Sequence, residues 1–385
     1  MLHDVTIVGA GPSGSYLAYL LAKEGLSVAL LEKDRFPREK ACGGGVSKKT
    51  MGIIEFDISP VVQRSITGAF LTFQNRDTVV KDLGEPGGVT VLRSEFDAFL
   101  LDRARERGVV FHDSCAFDRA DRRGDVLEVR TSRSTIRSRY LIGADGVYSR
   151  VRNTLFGKKL VTYAPAFEAL VDVSPDVRER FAGRVLFDFG GMKGGYGWIF
   201  PKRDHLNVGV FSVFRNGTIS EELYRFISGY RCLEGARVIK EAGHAIPLRN
   251  VEKVYQKENV WLVGDAAGFA ESLYGEGIYF SLRSALAASR AMIASFGNIR
   301  SRLYSETIER EMASELHYSR LSARAIFSFQ KFCFYRLVRN RGVNDTFARL
   351  IAGGVTHKQA FFRTLLNAPL WFWPGRTLPA TPGGF

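Results

Sequence analysis

DVTIVGAGPSGSYLAYLLAKEG, residues 4–25, is the stretch that decides the fold. The continuous apolar run at its start predicts a buried strand, and the amphipathic run after the glycines predicts a helix. Gly9, Gly11 and Gly14 form G-x-G-x-x-G between the two elements. In this setting the first glycine allows a tight turn, the second lets the backbone approach a pyrophosphate, and the third lets the helix pack closely on the strand. The stretch therefore predicts a dinucleotide-binding βαβ unit.

The next strand supplies an acidic residue at the place where such a unit needs one. SVALLEK, residues 27–33, reads as a second buried strand, and Glu32 ends it, where a carboxylate can accept from ribose hydroxyls. Pro12 and Ser13 open the helix whose N-terminus faces the phosphate charge, so we include them among the cofactor contacts. This unit alone does not separate FAD from NAD.

The strand pattern changes in the middle of the chain. From about residue 160 to 250 apolar and polar residues alternate, which is typical of antiparallel strands with one covered face. The βαβ character then returns, and the remainder reads mostly helical. We expect an α/β chain (α+β overall), in which a Rossmann-like cofactor domain is interrupted by an antiparallel β-sheet substrate domain and followed by a C-terminal helical segment. The predicted limits are 1–60, 85–160 and 250–300 for the first, 61–84 and 161–249 for the second, and 301–385 for the third.

The charge of this 385-residue chain is concentrated near its end. The formal net charge is +14, and residues 317–385 hold ten Lys/Arg against one acid, together with 13 of the 47 aromatic residues. The rest is only mildly basic, which argues against a nucleic-acid partner. Basic residues interleaved with Phe, Tyr and Trp are typical of a helix in a lipid headgroup layer, so we predict peripheral contact with a membrane. The alternative is an amphipathic helix that packs its aromatics onto the protein.

Several other classes are excluded. No apolar run reaches the roughly 18 residues of a membrane-spanning helix, and because a buried strand is predicted from residue 4, we expect no secretory signal. The four cysteines are far apart without C-x-x-C, and the six histidines show no ligand spacing, so we predict no metal and a cytoplasmic protein. His205 and His244 could serve as acids, although solvated or core roles are favoured.

Two later motifs narrow the choice between FAD and NAD as the cofactor. GADGVYSRVR (143–152) contains Asp145 and Gly146, and WLVGDAAG (261–268) contains Asp265 and Gly268. With the first fingerprint, these resemble the three signatures of the para-hydroxybenzoate-hydroxylase-like flavoproteins. The resemblance implies a Rossmann-like FAD-binding domain, with Asp265 on the ribitol, Asp145 and Gly146 near the pyrophosphate, and Arg93 and Gly268 near the cofactor.

Three further features are Cys42-Gly-Gly-Gly, the run YGWIFP (196–201) followed by Gly209, and GEGI (275–278). Together they resemble the geranylgeranyl reductase family, which saturates isoprenoid double bonds. The resemblance runs from residue 1 to roughly 300 and implies cofactor contacts at Cys42, Gly43, Gly277 and Ile278. The chain departs from the family pattern at Ala41, Ser272, Tyr274 and Phe211, and of these Tyr274 and Phe211 would change the pocket shape.

The YGWIFP run reads as a strand with Tyr196, Trp198 and Phe200 on one face. On the pattern alone an aromatic sheet core is the favoured interpretation. The family resemblance favours a substrate wall instead, with Pro201 and Phe211 included, because an isoprenoid chain needs an apolar tunnel. Halogenating flavoproteins of the same superfamily carry a similar aromatic-Pro motif.

Cys42 and Tyr274 are the candidate catalytic residues. A free cysteine is usually a small buried hydrophobe, but three adjacent glycines favour a loop beside the flavin, where Cys42 would act as a gate or proton donor. Tyr274 is a candidate pocket group, and Glu276 could instead hold its loop.

The expected activity is FAD-dependent reduction of an isoprenoid chain carried by a lipid, quinone or chlorophyll-type substrate, with hydride delivered by reduced flavin. NADPH and ferredoxin, the latter as a donor protein, both stay open as electron donors. Two alternatives remain: a flavin monooxygenase or halogenase on the same scaffold, and a membrane-associated electron-transfer flavoprotein acting on quinone. We place the protein on the cytoplasmic face of the membrane, with a prenyl-lipid or prenyl-quinone substrate.

Overall fold

The computed structural model describes residues 1–157, 161–214, 218–250, 253–371 and 377–382. The chain forms two compact units, each assembled from three separate segments. The first unit comprises Met1–Lys40, Arg93–Tyr163 and Ile246–Leu316, and the second comprises Ala41–Leu92, Ala164–Ala245 and His317–Phe385. These units group the chain by packing, and the predicted limits of a cofactor domain and a substrate domain stay a prediction.

The first unit is built on a mostly parallel sheet. Its strand order is Gln256–Lys257, Val260–Leu262, Thr135–Gly143, Leu2–Val8, Val28–Leu31 and Val110–His112. The antiparallel strands Phe117–Arg123 and Val126–Thr131 extend it from Thr135–Gly143. In the centre Ile7 is paired with Ile142 on one side and Leu30 on the other, and all three are fully buried. Such strands read as continuous apolar runs because helices cover both faces.

Helices cover this sheet and direct its strand ends. The helix Pro12–Lys23 leaves the first strand and packs against both Arg93–Arg105 and Gly277–Ser295. The remaining helices of the unit are Arg150–Leu155, Gly264–Ala267 and Leu303–Glu311. The Rossmann-like architecture predicted from residues 4–33 is confirmed.

The second unit holds a mainly antiparallel sheet. Its strand order is Arg237–Asn250, Val161–Asp172, Leu206–Ser212, Gly195–Pro201, Arg184–Asp188, Gly68–Phe73, Asp77–Asp82 and Thr381–Pro382. One pair, Gly68–Phe73 with Arg184–Asp188, is parallel. A smaller sheet is formed by Gly45–Ser47, Gly88–Val91 and Val62–Ile66. The predicted antiparallel sheet is therefore confirmed.

The two faces of the large sheet have different partners. Ile199, Val208 and Val210 point to the face that packs against Phe226 of the helix Ile219–Ser228, and this is the apolar core of the unit. Since side chains alternate along a strand, Tyr196, Trp198 and Phe200 lie on the opposite face. The other short helices of this unit are Lys48–Met51, Ser59–Val61, Pro175–Phe181 and Arg231–Leu233.

The C-terminal segment is helical, as predicted. Its helices are Ala313–Ser328, Gln330–Cys333, the π-helical turn Phe334–Val338, Arg341–Ala352, His357–Leu366 and the 3-10 turn Ala368–Leu370. Four residues of the predicted basic-aromatic surface, Phe372, Trp373, Arg376 and Phe385, lie outside the described residues. Across the described part of the chain, every helix is too short or too polar to cross a membrane.

Candidate functional site

The first fingerprint forms a turn in which two of its glycines have no room for a side chain. Gly9 has φ +103°, and a β-carbon there would stand 2.4 Å from the carbonyl oxygen of Ala144. A β-carbon on Gly14 would stand 1.8 Å from the carbonyl oxygen of Gly9. The strand, turn and helix are therefore packed as closely as a pyrophosphate-binding turn requires.

The helix that starts here presents its N-terminus without a protein cap. Gly11 is its extended N-cap residue, Pro12 occupies the first turn, and no side chain of the described residues caps it. Ser13 is buried, and a β-carbon at Gly264 would stand 2.7 Å from its Oγ. The N-terminus can hold an anion, and the WLVGDAAG motif lies directly beside it.

Glu32 begins a chain of charged side chains that are buried or half-buried. Its Oε2 accepts from the backbone N–H of Ala10 at 2.9 Å and lies 3.6 Å from Nε of Arg38. Arg38 in turn contacts Asp97 at 3.2 Å, and Arg93 donates to both oxygens of Asp97 at 2.7 Å. Arg93, predicted to lie near the cofactor, is thus held in a bidentate ion pair. Arg38 and Asp97 were not predicted as site residues from the sequence.

Asp145 binds the first turn of the helix Arg150–Leu155, whose N-cap residue is Ser149. Its carboxylate accepts from the Ser149 hydroxyl, and from the backbone N–H groups of Arg150 at 2.7 Å and Val151 at 3.1 Å. Burial raises the pKa of Asp145, against these hydrogen bonds, which favour the ionised form. The carboxylate therefore orients the GADG turn, and the neighbouring Gly146 adopts φ +76°.

Arg152 joins the second and third motifs. Its fully buried guanidinium donates to the carbonyl oxygens of Val147 at 2.8 Å and Ala266 at 3.0 Å, and to the Tyr163 hydroxyl at 3.0 Å. One side chain therefore fixes the distance between GADG and GDAAG. The sequence motif contains this arginine, but its bridging role depends on the tertiary fold.

The third motif places Asp265 close to Gly277, a predicted cofactor residue, and to Lys40, which was not predicted. Its Oδ2 lies 3.9 Å from Nζ of Lys40, and a β-carbon on Gly277 would stand 3.6 Å from its Oδ1. Gly268 ends the short helix with φ +82°, and Ile278 is buried in the following helix. Tyr274 is half-buried, and its backbone N–H donates to Glu271 at 2.7 Å.

The donor set of this unit fits FAD. The uncapped helix N-terminus suits the pyrophosphate, Glu32 suits a ribose, and Asp265 beside Gly277 suits a polyol. The fit rests on the tight glycine turn, whose backbone can approach a ligand where a side chain could not. Within the described parts of the chain, no three His, Cys, Asp or Glu side chains are grouped so as to share a metal ion.

The second unit carries a continuous aromatic face. Tyr196 contacts Phe187 at 5.5 Å, Phe211 at 5.6 Å and Trp198 at 6.1 Å between ring centroids. Phe200 continues the row beside Trp198 at 6.5 Å. The prediction that Tyr196, Trp198 and Phe200 share one face agrees with these contacts. Phe211 is fully buried on the same face, and Phe187 is a member that the sequence motif did not contain.

A helix of the C-terminal segment reaches this aromatic face. Phe327 contacts Tyr196 at 6.3 Å and Phe211 at 6.5 Å. Shortly after it in the chain, Gln330 donates to the carbonyl oxygens of Phe189, Met192 and Gly195 and accepts from the N–H of Gly194. The segment therefore holds the loop that leads into the aromatic strand, which no sequence motif indicated.

The Cys42 loop packs against the same face. A β-carbon on Gly43 would stand 3.1 Å from the Phe200 ring and 3.2 Å from Nε1 of Trp198. The backbone N–H of Cys42 donates to Glu168 at 2.8 Å, and the N–H of Gly44 donates to the Cys42 sulfur at 3.3 Å. Three adjacent glycines therefore let this loop lie flat on the aromatic rings, with the thiol turned back onto its own backbone.

Two buried charged residues of this region were not identified from the sequence. Lys202 donates to the carbonyl oxygens of Gly43 at 2.8 Å and Val91 at 2.9 Å. The Glu168 carboxylate accepts the hydrogen bond from the backbone N–H of Cys42. Both are buried. Pro201, predicted to touch substrate, has its carbonyl oxygen bonded to Thr90 at 2.7 Å. From the sequence, a lysine directly after a strand is expected to be exposed. Lys202 can therefore be recognised as part of this region only from its burial in the structure.

The chain is similar to proteins of a known family. The FAD binding domain family matches residues 3–174. Among curated relatives, a geranylgeranyl diphosphate reductase of Rhodobacter capsulatus is 30% identical over 76% of this chain and 76% of its own length. A digeranylgeranylglycerophospholipid reductase of Methanocaldococcus jannaschii is 28% identical over 74% and 76%. An uncharacterised protein of Methanosarcina barkeri is 33% identical over 76% and 75%.

Two solved structures share the fold. A geranylgeranyl bacteriochlorophyll reductase-like protein from Thermoplasma acidophilum has a TM-score of 0.76 at 20% identity, covering 96% of this chain and 97% of its own. A flavin-dependent brominase has a TM-score of 0.73 at 17% identity, covering 96% and 100%. At these identities the likeness concerns the fold alone.

Proposed function

The chain belongs to the geranylgeranyl reductase family of FAD-dependent oxidoreductases, and on that basis we propose that it saturates double bonds of a geranylgeranyl or related isoprenoid chain. The substrate would carry this chain on a lipid, a quinone or a chlorophyll-type headgroup. The observation that carries the proposal is the row of aromatic rings beneath the Cys42 loop.

In this proposal the first unit holds FAD. The N-terminus of the helix Pro12–Lys23 receives the pyrophosphate with Gly9, Gly11, Ser13 and Gly14, and Glu32 receives a ribose. Asp265 serves the ribitol, while further contacts come from Arg93, Asp145, Gly146, Gly268, Gly277 and Ile278 of the same unit. When bound, FAD supplies the hydride that the reaction needs.

The aromatic face serves as the wall along which the isoprenoid chain lies. Such a chain has no polar group along its length, so orientation must come from shape and from apolar contact. Tyr196, Trp198, Phe200 and Phe211 give rigid rings rather than flexible side chains, and Trp198 Nε1 is bonded to Asn207 at 2.7 Å. The row of rings is therefore built mainly of carbon atoms, while the indole N–H stays satisfied.

Cys42 is the proposed proton donor. Its thiol belongs to the glycine loop that packs on Trp198 and Phe200, so the group that would protonate the alkene is held at the wall that would bind it. An isolated alkene is a poor hydride acceptor, and placement of the double bond is expected to matter more than acid strength. Tyr274 is proposed as a second pocket group that shapes the space for the reacting bond.

The C-terminal segment supports association with a membrane surface, where a prenyl lipid is found. Several large apolar side chains are exposed there, Leu366 by 80% and Phe329 by 66%, with Phe332, Phe362 and Leu365 also exposed. Lys331, Lys358 and Arg363 lie among them in the sequence. Apolar side chains next to basic ones suit an anionic headgroup layer, and we place the protein on the cytoplasmic face. NADPH and ferredoxin are the candidate electron donors.

The proposal is tested with protein reduced by dithionite under anaerobic conditions and a panel of geranylgeranyl lipids, quinones and chlorophyll-type esters. Mass gains in steps of two hydrogens support it and rank the substrates, and absence of any gain across the panel contradicts it. Oxygen-dependent hydroxylation or halogenation would identify a monooxygenase or halogenase instead. Reduction of the quinone ring, with its prenyl tail unchanged, would identify the electron-transfer alternative.

A further inference from the structure

A buried ammonium group lies against the loop that carries Cys42. The Lys202 side chain is only 2% exposed, and its Nζ donates to the carbonyl oxygens of Gly43 and Val91. A β-carbon on Gly44 would stand 2.9 Å from this Nζ, while the N–H of the same Gly44 donates to the Cys42 sulfur at 3.3 Å. The ammonium and the thiol therefore both lie against one glycine residue.

The charges around Lys202 are few and can be named. Cys42 on the loop and Glu168 on the strand Val161–Asp172 favour its protonated form, whereas burial disfavours it. Burial is the stronger effect and lowers the pKa of Lys202 to about 8. Arg64 donates to the carbonyl oxygen of Lys202, and the carbonyl oxygen of His205 accepts from its N–H, so both touch its main chain.

We propose that Lys202 is the positioning residue that returns a proton to Cys42 after Cys42 has protonated the substrate. This inference rests on the reductase function proposed above. It assigns a role to a residue that no motif contains and that does not itself touch the alkene.

The proton transfers balance as follows. Hydride adds to one alkene carbon, and the π electron pair of the alkene forms a C–H bond at the other carbon with the Cys42 proton. The S–H bond breaks, and its electron pair stays on sulfur as a thiolate. An N–H bond of Lys202 then breaks, its electron pair stays on nitrogen, and the thiol forms again. A proton from solvent restores the ammonium group.

The energetics favour this pairing. Burial leaves the ammonium of Lys202 with a pKa of about 8, so it releases its proton more readily than the ammonium of an ordinary lysine. An ordinary exposed lysine, with a pKa near 10.4, would hold its proton too firmly for this exchange. In a dry site the ammonium also stabilises the thiolate during the interval before transfer.

The test uses the FAD-loaded protein and needs no substrate for its first readout. Cys42 is alkylated with iodoacetamide over a range of pH and is quantified as the tryptic peptide 41–48, in which it is the sole cysteine. Lys202→Met removes the ammonium and Lys202→Arg keeps the charge, while Lys193→Met changes an exposed lysine of the same unit as a control. FAD retention is followed by visible absorption.

We expect Lys202→Met to move the alkylation midpoint of Cys42 upward by about one pH unit. Lys202→Arg and Lys193→Met should leave this midpoint near its wild-type value. A midpoint unchanged in Lys202→Met, in a variant that folds and keeps FAD, overturns the proposal. Because this readout involves no prenyl substrate, it decides the pairing even if the reductase function itself fails its own test.

The second readout is turnover against pH. Wild-type turnover should fall above about pH 8, where Lys202 loses its proton. Lys202→Arg should turn over at least about ten-fold more slowly and lack this fall, since a guanidinium does not release its proton. If Lys202→Met does not fold, the Lys202→Arg variant decides the question. The proposal is overturned if Lys202→Arg turns over at the wild-type rate and its turnover falls at alkaline pH as in the wild type.

Discussion

The indole of Trp198 lies directly over Gly209 on the neighbouring strand. A β-carbon at residue 209 would stand 2.1 Å from Cζ2 of that indole, and the two residues are paired in the antiparallel register. The absence of a side chain on one strand therefore makes the space for the ring on the other. Trp198 keeps this position through its hydrogen bond to Asn207, two residues earlier on the same strand as Gly209.

Gly209→Ala should displace Trp198 and lower turnover on a prenyl substrate by at least about ten-fold, while FAD stays bound. The control is Gly52→Ala, whose β-carbon would meet its first neighbour at 3.6 Å with an ordinary φ of −65°. Steady-state turnover and visible absorption measure the two effects. Equal turnover in both variants would show that the position of the indole does not govern the reaction.

Cys42→Ala should retain FAD and lose most reductase turnover, because the loop stays flat on the aromatic rings while the proton donor is gone. Cys232→Ala is the matched control, since burial raises the pKa of that thiol to about 11 and no role is proposed for it. The measurement is anaerobic turnover with a prenyl lipid. Turnover at the wild-type rate in Cys42→Ala would remove this thiol from the mechanism.

Glu32→Ala should weaken FAD binding by at least about ten-fold, equivalent to about 1.4 kcal/mol. The change removes the acceptor for the Ala10 N–H and one partner of Arg38, so both the turn and the ribose contact are affected. Titration of apoprotein with FAD, followed by flavin fluorescence, measures the dissociation constant. Glu24→Ala, at an exposed residue just after the same helix, should bind FAD like the wild type. Equal affinities for the two variants would argue against a role for Glu32.

The unfolding free energy should depend on pH through Lys202. The pKa of Lys202 is about 8 in the folded protein against 10.5 for an ordinary lysine, so between these values the unfolded chain binds more protons and stability rises with pH. Below about pH 8 both states are protonated, and the cost of burying the charge is fully present. The rise should approach about 3 kcal/mol by pH 10.5.

Urea unfolding at pH 7 and pH 9.5 gives the change in unfolding free energy with pH for the wild type and for Lys202→Met. The difference between these two changes measures the contribution of Lys202. Other titrating groups contribute equally to both proteins and cancel. Parallel pH dependences would show that Lys202 does not bury its charge in the folded state.

Replacement of Phe362, Leu365 and Leu366 by serine should reduce binding to anionic vesicles by at least about ten-fold, because these exposed side chains would enter the headgroup layer. Ile239→Ser, at an exposed apolar residue elsewhere in the second unit, should bind as the wild type does. Co-sedimentation with phosphatidylserine vesicles at low and moderate salt provides the measurement. If the triple variant sediments with vesicles as the wild type does, the alternative interpretation is favoured, in which the C-terminal helices only pack against the rest of the protein.

Local patterns were sufficient to predict most of the fold and part of the site. The glycine spacing after a buried strand predicted the turn around Gly9 and Gly14, and strand alternation put Tyr196, Trp198 and Phe200 on one face. Each of these predictions depends on residues that are close in sequence.

What could not be predicted depends on contacts between distant segments. Lys202 follows the aromatic strand in sequence, but its buried state depends on Gly43 and Val91, from two other parts of the chain. Phe327 joins the aromatic face from the C-terminal segment, 131 residues after Tyr196. Neither position has a periodicity or motif that would distinguish it from an ordinary helix or loop residue.

The central claim is tested most directly by a single turnover without oxygen. FAD-loaded protein is reduced with dithionite, freed of excess reductant and mixed with a geranylgeranyl glycerophospholipid, while flavin absorption and lipid mass are followed together. The account predicts that the flavin is reoxidised on mixing and that the lipid gains two hydrogens for each flavin oxidised. Reoxidation only when oxygen is admitted, with no anaerobic gain in lipid mass, would contradict it.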